Sequence, residues 1–531
     1  VGGVNGGANL FADEPVSVYL DDVYLARLSF STADLVDVES IQIVRGPQGT
    51  LFGRNATAGA LLVATADPTQ TPSGYAEAAY TDLGGYRLAG ALSGPVAGED
   101  MLGRLAIGYS DRSGFGTNTI NGERVGSSQD LTARGKLLMQ ANGRLKLLGS
   151  IEYQERDAVP ATLQLSELFS GPGNPLRLRP GLQSIIEANA FSYDAENFFR
   201  SDAVTASLTG EYDLRWAELT SVTAYRAYDF HGAQDSDGTG ASFFRNTGRS
   251  DNDQYTQEIR LSAAGSGPLS WIGGVFYIHE DNALSPFIVD NVSGLFGLGT
   301  RVEFNAFNEL DSWSAFLDAT YQLNDRWALT GGLRYTRETK SFNTGFALSV
   351  LNGGTIPNIP AAGPFAGLTL TAGTPFPVGA PREVRFQDEA SFDDLSPRAV
   401  LEYQASDSVL LYGSFARGFK SGGFNSFGLT PAFQPETIDA YEIGAKTEWL
   451  QGQVRINASV FQYDYSNLQV RIGIPTGGVD IQNAAAADVR GGELEFAVRP
   501  FESLTLNGSV AVLDAEFTEG FLPAVSADQL F

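Results

Sequence analysis

From about Gly74 to Phe517 the chain turns back on itself by two alternating kinds of connection, and this limits its fold more than any single motif. Tight turns are expected at Ala141-Asn142-Gly143, Asp213-Leu214, Asn324-Asp325, Ser406-Asp407, Gln451-Gly452 and Pro500-Phe501. Between them lie long connections, about Asp157 to Arg200, His231 to Asp251, Glu280 to Asn308, Phe342 to Arg385, Lys420 to Glu436 and Arg471 to Ala485. A soluble sandwich has no cause to keep such parity. A barrel that crosses a bilayer does, because its turns are short on one side and its loops long on the other.

The segments between the turns have the matching period of two. Trp313, Ala315, Leu317, Ala319 and Tyr321 alternate with Ser312, Ser314, Asp318 and Thr320. Trp327, Leu329, Gly331, Leu333 and Tyr335 alternate with Thr330, Arg334 and Thr336. Each stretch runs about ten residues or more, the length a tilted strand needs to cross a membrane. Counting turn by turn gives about seventeen strands, the last near Ser503 to Phe517. Single-chain bacterial barrels have an even number, so the expectation is a barrel incomplete at its C-terminal end.

Composition separates this reading from its rivals. No run of 18 apolar residues occurs and mean hydropathy is -0.09, which excludes a helical membrane protein. In a barrel only alternate residues meet lipid, so a near-neutral value is expected. The net charge of -27 argues against nucleic acid, whose phosphates call for Lys and Arg. With 0 cysteines there is neither a disulfide framework nor a thiolate metal site. No P-loop, G-x-S-x-G, H-E-x-x-H or dinucleotide fingerprint occurs, so an enzyme is not expected, nor a cofactor. His231 and His279, the 2 histidines, show no metal-ligand spacing.

The first 66 residues read differently. Pro15 to Leu20, Ser40 to Val44 and Ala60 to Val63 are short strands, Ser31 to Leu35 a helical turn, and Arg45-Gly46-Pro47-Gln48-Gly49 a glycine turn. This is a small α+β unit at 1–66, followed by a Pro-containing linker at 67–73 and the barrel at 74–531.

The residues of both regions resemble one family. Val18-Tyr19-Leu20-Asp21-Asp22-Val23-Tyr24 and Val38 through Ala56, with Ile43-Val44-Arg45-Gly46-Pro47-Gln48-Gly49 at its centre, are similar to the plug domain of TonB-dependent outer-membrane receptors. Leu395-Ser396-Pro397-Arg398, Arg417 through Asn425, Tyr441-Glu442-Ile443-Gly444 and Arg490 through Glu495 resemble that family's barrel, in family order. The wording is most similar to the iron-complex receptor group abundant in alphaproteobacteria.

The resemblance implies an all-β transmembrane barrel of twenty-two-strand architecture, about seventeen of them here, with a plug in its lumen. It implies that the chain begins within the plug, after the TonB box. Where family plugs have Gly, this chain has Asp22, a residue that also tolerates the left-handed region. Arg45 is implied to pair with barrel glutamates from the motifs containing Glu442 and Glu493, and the alternation of Tyr441 and Ile443 with Glu442, and of Leu494 and Phe496 with Glu493, turns both carboxylates inward. Arg54 is a second candidate for a plug–barrel contact. The resemblance further implies the bacterial outer membrane, with its lipid and lipopolysaccharide, and active import powered by TonB and its inner-membrane proton-driven motor. A ferric siderophore is the family's commonest cargo, although the acidic chain and the lack of a loop Arg/Lys cluster disfavour an anionic one. Carbohydrate, cobalamin, haem and aromatic compounds are the alternatives, and a passive channel or structural barrel is the alternative class. Phe243-Phe244, Phe287, Phe296, Phe365 and Phe376, in long connections, suit a cargo vestibule or loop packing equally.

Overall fold

The computed structural model describes residues 11–27, 35–82, 84–141, 143–161, 190–235, 244–265, 267–291, 299–351, 353–355, 369–375, 383–426, 428–473 and 479–519. Most of the expected helical turn at Ser31 to Leu35, Asn142 of the first tight turn, and Phe243, Phe296, Phe365 and Phe376 lie outside these residues.

The N-terminal unit is a four-stranded sheet of β1 (Val16–Leu20), β2 (Val23–Leu25), β3 (Val38–Arg45) and β4 (Gly59–Thr65), in the order β2-β1-β4-β3, with one turn of helix, α1 (Gly49–Phe52). The β1–β2 turn is made by Asp21 and Asp22, both left-handed at φ 49 and 65. Asp21 also accepts from the Thr65 amide at 2.7 Å and the Thr65 hydroxyl at 2.6 Å, tying the turn to the end of β4. A short carboxylate that tolerates αL and bonds locally fills the place of glycine there. At Gly59 no side chain fits, because a Cβ would stand 2.2 Å from the Val44 carbonyl.

The large sheet starts with β5 (Ser73–Tyr80), β6 (Tyr86–Ala97), β7 (Met101–Asn118), β8 (Arg124–Ala141) and β9 (Leu145–Val159). After the two-residue β10 (Ala190–Phe191) come β11 (Phe198–Asp213), β12 (Ala217–Asp235), β13 (Phe244–Ala263), β14 (Leu269–Asn291), β15 (Thr300–Gln322) and β16 (Trp327–Val350). A small hairpin, β17 (Gly354–Thr355) and β18 (Thr369–Leu370), precedes β19 (Val384–Ser406) and β20 (Val409–Lys420). The last four are β21 (Glu436–Trp449), β22 (Val454–Gly473), β23 (Val479–Phe501) and β24 (Leu504–Glu519). Each long strand pairs antiparallel with its neighbour from β5 to β24, with β9 pairing directly to β11, so seventeen long strands are present among the described residues. The sheet order brings β24 round to β5, but among the described residues no extended register joins them, and both are exposed on both faces.

The burial pattern is that of a membrane barrel rather than a soluble one. Leu317 and Leu333 are 54% and 46% exposed, while Ser312, Ser314 and Thr336 on the opposite face are buried. Leucines face outward because the surroundings there are lipid, and polar residues are buried because the N-terminal unit fills the lumen. Aromatic pairs mark two levels. On the tight-turn side Trp216 stacks on Trp271 and Trp327 on Tyr403, and on the other Tyr255 meets Tyr277 and Trp313 meets Tyr335. From Trp327 to Tyr335 the strand runs about 27 Å, or about 21 Å along the membrane normal at a tilt of about 40°, which spans most of an apolar band of about 25 Å.

Past the second level the strands continue much further than the sequence suggests. Segments expected as connections, such as Phe342 to Val350 and Glu280 to Asn291, are paired strand. There the outward face meets water, so Arg337, Thr339, Ser341 and Asn343 alternate with inward Glu338, Lys340, Phe342 and Thr344. Both faces are then largely polar, which removes the lipid-facing pattern without ending the strand.

Candidate functional site: charges at the plug–barrel contact

Inward parity places Glu280 on β14 and Glu338 and Lys340 on β16 against the top of the N-terminal unit. Three side chains of that unit meet them: Asp13, just before β1, Arg27, just after β2, and Arg54, just after α1. Arg54 Nη2 lies 2.7 Å from Asp13 Oδ2, its Nε 2.9 Å from Glu338 Oε1 and its Nη1 3.6 Å from Glu280 Oε1. Arg27 lies 2.7 Å from Glu280 and 3.4 Å from Asp13, and Lys340 Nζ lies 2.8 Å from Asp13. All six side chains are at most 4% exposed. Three cations and three anions thus form one neutral cluster.

Hydrogen bonds complete it. Lys340 Nζ donates to the Gly422 carbonyl at 2.6 Å, Ser421 Oγ donates to Glu338, and Arg27 Nη1 donates to the Phe11 carbonyl at 3.1 Å. Burial alone would push the Asp13 carboxyl up, but Arg54, Lys340 and Arg27 beside it hold it well below the usual carboxylate range. Removing one member of such a cluster is far costlier than the cluster is stabilising as a whole, because the remaining charges stay dry and unpaired. Around it the plug backbone is held as well. Gln254 of β13 accepts from the Ala26 amide at 3.1 Å and donates to the Tyr24 carbonyl at 2.7 Å. Above the charges lies an aromatic core, in which Phe11 meets Phe342 edge-on and Phe342 stacks on Phe424 at 5.0 Å; Phe287 belongs to the same buried core.

The expected Arg45 contact has a different character. Arg45 Nη1 lies 3.1 Å from Glu493 and 2.7 Å from Glu495, with its side chain 65% exposed. Glu442 is not its partner here and accepts instead from the Tyr412 hydroxyl. The reason is register. Glu442 is on β21 and Glu493 on β23, two strands across and two residues out of register, about 12 Å apart, whereas Glu495 shares the face of Glu493 two residues on. Arg54, the secondary expectation, lies at the centre of the buried cluster.

Glu338 and Lys340 were findable by carrying the parity of Arg334 and Thr336 upward, and Glu280 by the same rule. No sequence signal brings Asp13 or Arg27 to them. Of the histidines, His231 packs edge-on against Phe198, and His279 lies 3.1 Å from Asp311 and 3.3 Å from Asp281. His279, Glu309 and Asp311 converge on the outward face, where no ligand spacing had been expected, but Asp311 already accepts from the Tyr277 hydroxyl at 2.6 Å.

A strand barrel with lipid-facing leucines, two aromatic levels and a charge-clamped plug defines a plugged outer-membrane barrel. The family model described as TonB dependent receptor-like, beta-barrel matches residues 152–529, and the TonB-dependent Receptor Plug Domain matches residues 3–60. The chain belongs to the TonB-dependent receptor family. It is therefore an outer-membrane protein of a family of receptors and transporters that work with TonB. Among curated relatives it is similar to the pesticin receptor of Yersinia enterocolitica, at 24% identity over 522 residues, 96% of this chain and 68% of the relative. It is also similar to the metal-pseudopaline receptor of Pseudomonas aeruginosa, at 23% identity over 516 residues, 92% of this chain and 64% of the relative. Among solved structures the ferric yersiniabactin uptake receptor of Yersinia pestis has the same fold, with a TM-score of 0.77 and 20% identity over 95% of this chain and 70% of that one. The alcaligin outer-membrane receptor of Bordetella pertussis matches at a TM-score of 0.61 and 15% identity, over 97% and 73%.

Proposed function

We propose that this receptor imports an iron chelate of the siderophore type, taken up from outside through the extended strands and drawn past the plug. The observation that carries the cargo class is the set of relatives matched along more than nine-tenths of the chain, whose names include ferric yersiniabactin uptake and metal-pseudopaline receptors. Phe11, Phe342 and Phe424 are buried against one another, so they pack the plug to the barrel and offer no free surface to a cargo.

In this reading TonB, driven by its inner-membrane motor, supplies the work that separates Asp13, Arg27 and Arg54 from Glu280, Glu338 and Lys340. A fully buried cluster stays shut without that work, since each stranded charge costs about 3–5 kcal/mol. Arg45, more exposed, holds the plug's side against β23. Lipopolysaccharide is the outer-leaflet partner of the strands beyond the Tyr277 and Trp313 level. Native mass spectrometry of ligand that co-purifies with the receptor tests the cargo: an iron chelate is expected, and a sugar or cobalamin in its place contradicts the siderophore reading.

A further inference from the structure

Arg334, on the inward face of β16, is 5% exposed, yet among the described residues no carboxylate lies within ion-pair distance of it. One nitrogen donates to Ser314 Oγ, Nη1 is 3.5 Å from the Leu51 carbonyl, and Nε has no acceptor. The guanidinium rests by the rings of Phe316 and Phe276, at 5.1 and 5.8 Å. Gly53 of the plug caps it: a Cβ there would stand 2.7 Å from Arg334 Cζ. The next plug residue is Arg54, which supplies the cation 2.9 Å from Glu338.

One dipeptide, Gly53-Arg54, therefore pins Arg334 and neutralises Glu338 at the same time. Arg334 and Glu338 share the inward face four residues apart, about 13 Å along the strand, a span that extended arginine and glutamate side chains bridge together. Tyr19, Glu258 and Glu338 are the titratable groups that face Arg334. Glu258 is already held by Arg260 at 3.3 Å, and Arg260 also holds Asp22 of the plug at 2.7 Å.

We propose that Arg334 is the spare cation of the barrel wall, taking Glu338 when Arg54 leaves. Withdrawal of Gly53-Arg54 frees the guanidinium and vacates the carboxylate in one movement. The wall left behind, Lys340 and Arg334 against Glu280 and Glu338, is then neutral by itself. Without Arg334 it would hold a stranded carboxylate until water enters the vacated seat, which is the costly stage of release. The exchange lowers the work of opening while leaving the closed cluster untouched. It rests on the import reading only in that the plug must leave its seat.

The test is single-molecule pulling of the whole chain from its N-terminal end in a lipid bilayer, with neither cargo nor TonB, so failure of the uptake reading and failure of this one are separate results. Arg334→Met should slow plug release at a given load by about tenfold or more, and Arg334→Lys should keep the wild-type rate. In a Glu338→Gln background, where no carboxylate is stranded, Arg334→Met should have no effect. A purely structural Arg334 predicts the opposite sign, faster release from a loosened seat. Release of Arg334→Met at or above the wild-type rate, or equal slowing in the Glu338→Gln background, overturns the proposal.

Discussion

Two arginines of the plug touch barrel glutamates at similar distances, and their surroundings assign them different weights. Arg54 is dry and shared among Asp13, Glu280 and Glu338, whereas Arg45 is 65% exposed beside Glu493 and Glu495. Arg54→Ala should destabilise the seated plug by about 3–5 kcal/mol, and Arg45→Ala by less than about 1 kcal/mol because water screens its pairs. Protease protection of the plug against denaturant reads both. Asp13→Asn adds a pH signature. The Asp13 carboxyl is held low in the folded state, so its contribution is present above the ordinary Asp value and is lost as pH falls through the folded one. The stability gap between wild type and Asp13→Asn should stay flat above about pH 5 and narrow only below about 3.9. A gap that opens on acidification would mean that Asp13 is not the buried anion described. These residue-level facts were largely illegible in the sequence. The Arg45 motif is conspicuous because a glycine turn follows it, but nothing in one dimension brings positions 13, 27 and 54 to 280, 338 and 340.

At the scale of the element, the membrane itself made the sequence readable. Lipid on one side and plug on the other force a period of two, so the stretches at Trp313 to Tyr321 and Trp327 to Tyr335 read as strands, and the tight turns between them fall where expected. The same physics explains the misjudged connections. Above Tyr335 the outside is aqueous, Arg337 and Thr339 replace leucines outward, and strand β16 continues unseen to Val350. A charge tests the boundary directly. Leu317, midway between Trp313 and Tyr321, should cost about 2–4 kcal/mol as Leu317→Arg, while Thr339→Arg, outward but above the aromatic level, should be near neutral. Urea-dependent folding into phospholipid vesicles measures both, and equal costs would remove the membrane boundary drawn through the Trp313–Tyr335 pair.

For the whole molecule, the parity of turns and connections carried the fold class, and the seventeen strands of the described ladder match the count it gave. Hidden from sequence was how completely the plug is clamped: charged at the Arg54 cluster, hydrogen-bonded at Gln254 and aromatic at Phe11. The central claim is that this clamped barrel is an energised importer of iron chelates. The most direct measurement is accumulation of radiolabelled iron, presented as siderophore complexes, in cells making the protein with and without functional TonB. Accumulation that needs both the protein and TonB is the predicted result. Uptake that proceeds equally without TonB, as through an open channel, would contradict it.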